Sequence, residues 1–380
     1  MKDKNEILEK SKSEDSFFKS KVFLTMLSFI IGAIVMFVII MVTTNTDLLV
    51  QKVTSENIKT TTLEEVSDLK VAIKEVYDSA IYIEATGTRT SASGSGFVYK
   101  IDGDKAYILT NYHVIENGNV YKVTLNDGTE VNANLINGDE YYDIAILSIS
   151  SENVKKAAIL GDSDNLELGD TVFTVGAPLG KDYMGTITKG IISGTDRMIA
   201  VKLSKGTYLM EVIQTDASIN EGNSGGPICN IKGEVIGITS SKLIGSGVEG
   251  MGFAIPINKV KELIDDMENG TKVERPYLGV QVVDLTNTFA LQYYYNIRIS
   301  SDVEFGAVLS VVEENMPADI SGLKVGDVII EMDGEKVSDT SHFKYILYNH
   351  KVGDKILVKY YRENKLHETT IELTKSAKSE

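Results

Sequence analysis

The sequence predicts a mainly β protein, built from two folded domains that follow one N-terminal apolar helix. Residues 75–257 consist of short apolar runs separated by glycine and Asp/Asn turns, a spacing typical of an all-β sandwich or barrel. From residue 275 onward, strand-like runs mix with two short helical patterns, which favours a small α+β or capped-barrel module. A chain of 380 residues suits two domains plus extensions.

Composition narrows the class of protein. Hydrophobic residues make up 43% of the chain and charged residues 24%, so extensive disorder is excluded. A net charge of −16 gives no large basic face, which argues against a nucleic-acid partner. The single cysteine, Cys229, rules out an internal disulfide or a CxxC metal site, and we expect it to be a buried small hydrophobe. Only His113 precedes residue 342 among the histidines, so we expect neither a metal nor a cofactor.

The N-terminal apolar segment, Val22–Val42, carries no charge and is long enough to cross a bilayer as a helix. A cleavable signal peptide has a shorter apolar region and a small-residue site, which residues 43–47 do not provide. A buried core helix is the third interpretation. Lysines are concentrated before the segment, so the positive-inside bias makes residues 1–21 a cytoplasmic tail. We therefore predict a single-pass anchor in the cell membrane, with the rest of the chain extracytoplasmic.

Domain boundaries follow from changes in this pattern. Residues 43–74 are predicted as a linker, rich in Thr, Ser and Lys, with a short helix near Leu63–Val76. The first domain, 75–270, ends with a helix over Asn258–Glu268 whose N-cap we place at Asn258. The second domain occupies 275–376. Predicted strands of the first domain are Ala80–Glu84, Gly96–Lys100, Lys105–Thr110, Tyr121–Thr124, Ile144–Ile149, Thr171–Val175, Glu234–Thr239 and Gly252–Ile255. Those of the second are Gly279–Val283, Ala307–Val312, Val328–Met332, Lys355–Tyr361 and Thr369–Leu373, with helices at Ala318–Gly322 and Asp339–Asn349.

Three polar residues stand at the ends of apolar strands in the order His113, Asp143, Ser224. Each has a plainer interpretation when taken alone: a satisfied polar group at a strand end or, for the serine of Gly222–Pro227, an ordinary glycine-rich turn. Together they predict nucleophilic catalysis, in which an imidazole base activates a serine and a buried carboxylate orients the imidazole. The backbone N–H groups of Gly222 and Ser224 would then bind the developing oxyanion.

The motifs around these residues resemble the HtrA (Deg) family of trypsin-like serine proteases. Segments similar to that family's protease domain are Leu109–Val114, Asp143–Leu147, Gln214–Pro227 and Gly252–Pro256. Segments similar to its PDZ domain are Pro276–Val280, Gly306–Val308 and Pro317–Ile329. The resemblance covers about residues 75–375. Residues Leu285–Val303 depart from it, because they lengthen the first part of the PDZ domain.

The resemblance implies two perpendicular six-stranded β-barrels with the site in the cleft between them, followed by one C-terminal PDZ domain. It assigns His113 as the base, Asp143 as its orienter and Ser224 as the nucleophile. It further implies homotrimers that cleave misfolded or damaged exported proteins.

Specificity is predicted from the residues expected around the substrate pocket: Ser218, Ile219 and Met251. An acidic residue six positions before the serine of a trypsin-like enzyme would attract Lys or Arg, but Ser218 holds that position. We therefore expect a small or medium aliphatic residue before the scissile bond. Asp216 has a structural and a substrate-binding interpretation.

In the PDZ domain, Leu278, Gly279 and Val280 are predicted to bind the carboxylate of C-terminal peptides, which would add as an extra strand. The plainer interpretation is a simple strand entrance. We thus predict a membrane-anchored serine endopeptidase with a PDZ domain. The alternatives are a catalytically silent chaperone-like or peptide-binding membrane protein and a membrane receptor for C-terminal peptides.

Overall fold

The computed structural model describes residues 21–203, 206–243, 250–299 and 303–376, with the backbone alone over 43–67. The predicted cytoplasmic tail, apart from Lys21, lies outside the described residues. The chain forms two compact units, Met1–Asp68 and Leu69–Glu380. The second unit contains both predicted domains.

Helix α1 spans Lys21–Tyr77. Its first part, Lys21–Val42, has a mean hydropathy of 2.8 and is long and apolar enough to cross a membrane, a test that a signal sequence also passes. The helix continues through the segment predicted as a linker, where the sequence indicated only a short helix near Leu63–Val76. The physical reason is that neither glycine nor proline occurs between residues 43 and 77, so nothing in this polar sequence interrupts the helical backbone.

The first barrel is closed and has the strand order β1-β2-β3-β6-β5-β4. Its strands are β1 Ala80–Thr86, β2 Ser91–Asp102, β3 Lys105–Thr110, β4 Val120–Thr124, β5 Glu130–Asp139 and β6 Ile144–Ser150, and a one-turn helix, α2 Tyr112–Ile115, follows β3. Every second residue faces the interior, where Ile83, Ile108 and Leu147 are fully buried. The predicted strands that correspond to β1, β2, β3, β4 and β6 are confirmed. Strand β5 was not predicted, because most of its residues are polar or half-exposed.

The second barrel contains β8 Thr171–Gly176, β9 Thr186–Leu203, β10 Gly206–Thr215, β11 Pro227–Asn230, β12 Glu234–Thr239 and β13 Gly252–Pro256. Its order is β11-β8-β9-β10-β13-β12, and the ring closes because β11 also pairs with β12. The two-residue strand β7, Ile159–Leu160, pairs in parallel with β12. The long β9–β10 hairpin was not predicted, because most residues of β9 are half-buried or exposed and include several Thr and Lys side chains.

Helix α3, Ile257–Glu268, follows the last strand of the second barrel and corrects one prediction. Pro256, not Asn258, holds the N-cap position. Asn258 lies inside the first turn, where its side chain donates to Asp162 Oδ1 at 2.7 Å. Proline is well suited to this place because its ring fixes φ near the value the chain needs there and it has no N–H to satisfy.

The C-terminal domain has the strand order β14-β15-β16-β18-β19, with β17 paired to β16. Its strands are β14 Val280–Asp284, β15 Ala307–Val312, β16 Val328–Met332, β17 Glu335–Lys336, β18 Lys355–Arg362 and β19 Lys365–Glu372. Its helices are α4 Thr288–Tyr294, α5 Pro317–Ile320 and α6 Thr340–Tyr348. Strand β14 forms an edge of the sheet, and α4 lies in the lengthened segment that departs from the family pattern.

Candidate active site

The imidazole of His113 lies against the carboxylate of Asp143. The residues are 30 positions apart, but β3 and β6 are neighbours, and their pairing brings α2 next to the turn before β6. The His113 Nδ1 atom is 2.8 Å from Oδ2 and 3.0 Å from Oδ1 of Asp143. The backbone N–H of His113 also donates to Oδ1 at 2.9 Å. These contacts fix both the position and the rotation of the imidazole ring.

Asp143 is only 1% exposed and has a φ of 54°, an uncommon backbone conformation for a residue with a side chain. Two further hydrogen bonds hold it there. The Ser240 hydroxyl donates to Oδ2 at 3.2 Å, and the Asn111 amide donates to the Asp143 carbonyl at 2.9 Å. Strained backbone conformations occur often at functional sites, where contacts with the surrounding structure hold the residue in place.

Ser224 lies in the turn between β10 and β11, and its side chain is directed at Ser241. The two Oγ atoms are 2.6 Å apart, and the Ser241 backbone N–H donates to Ser224 Oγ at 2.9 Å. Within the described parts of the chain, these are the hydrogen bonds of the Ser224 hydroxyl. His113 and Ser224 nevertheless line the same cleft.

The backbone beside Ser224 forms a candidate oxyanion hole. Among the described residues, neither the Gly222 N–H nor the Ser224 N–H has an acceptor. Gly222 adopts a φ of 95°, and a Cβ there would lie 2.2 Å from the Ala177 carbonyl oxygen, so only glycine fits. The Glu221 carbonyl accepts from the Leu179 N–H at 3.1 Å, and because the peptide bond is trans, the Gly222 N–H points in the opposite direction.

Three serines of the site were not identified from the sequence: Ser95, Ser240 and Ser241. Ser95 Oγ donates to the Gly222 carbonyl at 2.7 Å and accepts from the Ala177 N–H at 3.0 Å, so it supports the oxyanion segment from the other barrel. The available signals were weak: Ser95 stands between two glycines of β2, and Ser240 and Ser241 directly follow the apolar strand β12.

An open cleft of about 640 Å³ extends in front of the serine. It is lined by Ala92, Ser93, His113, Leu179, Gly180, Glu221, Gly222, Ser224, Ser241 and Lys242. The predicted pocket residues are not among these: Ser218 is exposed, Ile219 is buried and Met251 is 39% exposed. They belong to adjacent segments, since a Cβ on Gly252 would lie 2.6 Å from Ile219 Cγ1. Asp216 accepts the Ile191 N–H at 2.7 Å, a structural contact.

The predicted carboxylate-binding segment of the C-terminal domain precedes the edge strand β14. Gly279 has a φ of 76°, and a Cβ there would meet Met316 Cβ at 2.1 Å. The carbonyls of Leu278 and Gly279 accept from Ala318 and Glu313. Their own N–H groups have no acceptor in the described part of the chain. The turn therefore presents two successive free donors at a sheet edge.

Within the residues that the structure describes, no group of three or more His, Cys, Asp or Glu side chains could hold a metal ion. Cys229 is fully buried, and burial raises the pKa of its thiol, which makes it a poor nucleophile or ligand. The site is thus assembled from serine, histidine, aspartate and backbone amides.

Two barrels in which an Asp-paired histidine shares a cleft with a serine, followed by a small sheet-and-helix domain, define the class of trypsin-like peptidases carrying a PDZ domain. Residues 94–238 match the trypsin-like peptidase domain family, and residues 276–373 match the PDZ domain family. Both matches agree with the family resemblance inferred from the sequence.

Individual relatives narrow the class to a family. Serine protease Do-like HtrB of Bacillus subtilis (strain 168) is 44% identical over 287 residues, 75% of this chain and 63% of that protein. Serine protease Do-like HtrA of Lactococcus lactis subsp. lactis (strain IL1403) is 41% identical over 296 residues, 76% of this chain and 72% of that protein. The solved structure of the HtrA-type protease AlgW with decapeptide is 30% identical, with a TM-score of 0.61, and covers 80% of this chain and 97% of that chain.

The chain belongs to the HtrA family of Do-like serine proteases. It spans 63% of the length of the two similar Bacillus subtilis proteins, HtrB and HtrA.

Proposed function

We propose that this protein is a membrane-anchored serine endopeptidase that cleaves misfolded or damaged exported proteins through an acyl-enzyme. The observation that carries the proposal is that His113, paired with the buried Asp143, lines one cleft with Ser224, which lies beside two unpaired backbone N–H groups. Ser224 is the proposed nucleophile, His113 the base and Asp143 its orienter.

The proposed mechanism begins when Ser224 Oγ rotates from Ser241 toward His113. With Nδ1–H donating to Asp143, the Nε2 atom is left to accept the serine proton during attack on the peptide carbonyl. The N–H groups of Gly222 and Ser224 would stabilise the oxyanion, and each such donor is typically worth about 10²–10³ in rate. His113 then returns the proton to the leaving amine, and water hydrolyses the acyl-enzyme by the same route.

The Ser224–Ser241 contact predicts how one substitution changes reactivity. Ser241→Ala removes the hydroxyl partner of Ser224 and leaves the backbone N–H in place. A neutral hydrogen bond contributes about 1 kcal/mol, so we expect roughly fivefold faster labelling of Ser224 by a fluorophosphonate. Ser241→Thr, which keeps a hydroxyl, serves as the control and should react at the wild-type rate. Slower labelling of Ser241→Ala would mean that Ser241 assists the nucleophile.

Substrate choice, membrane attachment and assembly are part of the same proposal. Ser218, Ile219 and Met251 carry no charge, which favours a small or medium aliphatic residue before the scissile bond. The apolar part of α1 would anchor the chain and leave the catalytic cleft on the extracytoplasmic side, near unfolded exported proteins. The family resemblance supports a homotrimer, which sedimentation of the detergent-solubilised chain would measure.

Digestion of casein by the detergent-solubilised full chain tests the proposal. We expect internal cleavage, and sequencing of the product termini should find Val, Ala, Ile or Leu before most cleaved bonds. Products ending mainly in Lys or Arg would contradict the uncharged pocket. Intact casein after prolonged incubation with a chain that also resists fluorophosphonate labelling would contradict the enzyme assignment.

We further propose that the PDZ domain binds a C-terminal carboxylate at Leu278, Gly279 and Val280. The proposal is supported by the free Leu278 and Gly279 N–H groups and by the edge position of β14, beside which a peptide can add as a strand.

Amidation of a peptide's C-terminus tests this assignment. An amidated peptide lacks the negative charge that the two N–H groups would bind, and hydrogen bonds to charged groups contribute about 1.5–3 kcal/mol. We therefore expect a peptide with a free apolar C-terminus to bind at least about tenfold more tightly than its amidated form. Calorimetric titration of the full chain measures the difference. Equal affinities of the free and amidated peptides would show that Leu278, Gly279 and Val280 do not bind a carboxylate.

A further inference from the structure

The PDZ domain contacts the protease domain through one face of α6. This face packs on β10, where the Tyr345 hydroxyl donates to Glu211 Oε2 at 3.2 Å. The Tyr348 ring stacks on that of Tyr208, with their centroids 6.2 Å apart. The Tyr141 ring stands edge-on to both, at 5.2 Å from Tyr348 and 5.4 Å from Tyr208. Tyr141 lies two residues before Asp143, so the interface reaches the turn that carries the proposed triad carboxylate.

Arg275, in the connection between α3 and the PDZ domain, lies at the centre of this aromatic group. Its guanidinium carbon is 4.7 Å from the Tyr141 ring centroid, 5.4 Å from that of Tyr142 and 5.7 Å from that of Tyr348. Burial raises the pKa of Tyr142 to about 12, so its ring stays neutral and able to bind a cation. The position of Arg275 is therefore determined by side chains from both domains.

The guanidinium also binds the carboxylate at the end of β5. Arg275 Nη2 donates to both oxygens of Asp139, at 2.7 and 2.8 Å. Asp139 is 6% exposed, so Arg275 compensates a carboxylate that has little contact with water. The same Asp139 Oδ1 accepts the backbone N–H of Tyr142 at 2.8 Å and so closes the turn that leads to Asp143. The next bond in this turn joins the Asp143 N–H to the Glu140 carbonyl at 3.3 Å.

We propose that Arg275 is a positioning residue for the catalytic triad. It fixes Asp139, Asp139 caps the turn, and the turn holds Asp143 in its left-handed conformation against His113. The proposal rests on the assignment of Asp143 as the triad carboxylate. Without Arg275, the buried Asp139 carboxylate would lack its cation and turn toward water. The hydrogen bond that Asp139 accepts from the Tyr142 N–H would then be lost.

The chain provides a matched control for this arginine. Arg362 binds Asp327 through two hydrogen bonds of 2.7 Å, Asp327 is 1% exposed, and the Arg362 guanidinium carbon lies 5.1 Å from the Tyr360 ring centroid. This pair also joins an arginine to a buried aspartate, but it lies within the PDZ domain and touches no part of the triad. If the loss of a buried ion pair slows labelling of Ser224 only by destabilising the fold, Arg275→Ala and Arg362→Ala should both label slowly.

The experiment measures the rate of fluorophosphonate labelling at Ser224 in the full chain, solubilised in detergent. The probe is small and reacts without an extended substrate, so its rate reports on the nucleophile and its base. We expect Arg275→Ala to label between about 10-fold and 100-fold more slowly, because small displacements of catalytic groups have effects of this size. Arg362→Ala should label at the wild-type rate. Arg275→Lys, which keeps the charge but not the planar stacking, should be intermediate.

Kinetics on a short peptide substrate separate positioning from binding. We expect Arg275→Ala to lower kcat and to leave KM within about twofold, since Arg275 does not line the cleft. Equal labelling of Arg275→Ala and wild type, or equal slowing in Arg362→Ala, would overturn the inference. Should Arg275→Ala fail to fold, wild-type labelling by Arg275→Lys would overturn it. Absence of labelling in the wild-type chain would instead overturn the proposed function, and this inference with it.

Discussion

Ser224→Ala is expected to abolish proteolysis while the protein stays folded. Removing the nucleophile of a serine protease lowers kcat by about 10⁶-fold, because no other group can form the acyl-enzyme. The hydroxyl's hydrogen bonds within the described chain go to Ser241 alone, so the cores of both barrels are untouched. We expect the free energy of unfolding to change by no more than about 1 kcal/mol. Casein digestion and thermal unfolding measure the two effects.

Ser151→Ala is a suitable control for this variant. Its hydroxyl donates to the Gly103 carbonyl at 3.0 Å in a surface turn of the first barrel, so it loses one hydrogen bond of similar strength far from the cleft. It should digest casein at the wild-type rate. If Ser224→Ala and the wild type are equally inactive and neither binds the fluorophosphonate, the chain is a silent chaperone-like or peptide-binding protein. Equal casein digestion by Ser224→Ala and the active wild type would show that Ser224 is not the nucleophile.

The sequence selects candidate residues whose surroundings are local, and their catalytic roles stay a prediction. His113, Asp143 and Ser224 each adjoin an apolar strand, and the motifs around them are contiguous, so spacing and residue type were sufficient to select them. Local apolar patterns likewise predicted a mainly β fold, whereas the two barrels and the PDZ domain were implied by the family resemblance. The β14, β15, β16 and β18 segments have apolar patterns that tertiary packing did not override.

Residues that act through contacts between distant segments could not be found in this way. Ser95 reaches the Gly222 carbonyl across 127 positions and Ser240 reaches Asp143 across 97, so the chemistry of each depends on how the barrels pack. Arg275 was not singled out either, because its partner Asp139 lies 136 positions earlier in the chain. Ser218, Ile219 and Met251 were chosen by position and stay a prediction, and the cleft described in front of Ser224 is lined by Leu179, Gly180 and Lys242.

Asp143→Asn provides a sharp test of the triad, because the substitution changes charge and hydrogen bonding without changing size. In the native site, Oδ1 and Oδ2 of Asp143 accept hydrogen bonds from the His113 backbone, the His113 ring and the Ser240 hydroxyl. An asparagine has one accepting oxygen and one donating amide. Because the backbone N–H of His113 donates to Oδ1, the amide oxygen would take that position. The NH2 group would then take the Oδ2 position, where it faces His113 Nδ1 and can donate to the Ser240 hydroxyl.

A donor facing Nδ1 forces that nitrogen to accept and places the ring proton on Nε2. The imidazole then cannot accept the proton of Ser224, and we expect kcat to fall by about 10⁴-fold. Folding should be retained, since asparagine tolerates the left-handed φ of 54° at this position. Peptide hydrolysis and thermal unfolding of the full chain measure both effects.

Asp333→Asn is the matched control for this substitution. Asp333 also has a positive φ, 47°, and its Oδ2 atom lies 2.9 Å from His350 Nε2, but this His–Asp pair belongs to the PDZ domain. The same exchange of carboxylate for amide should therefore leave kcat at the wild-type value. A loss confined to Asp143→Asn would assign the effect to the histidine that shares a cleft with Ser224. Activity within tenfold of wild type in Asp143→Asn would mean that the two hydrogen bonds from the His113 ring to Asp143 are structural, and that another group sets the tautomer of the base.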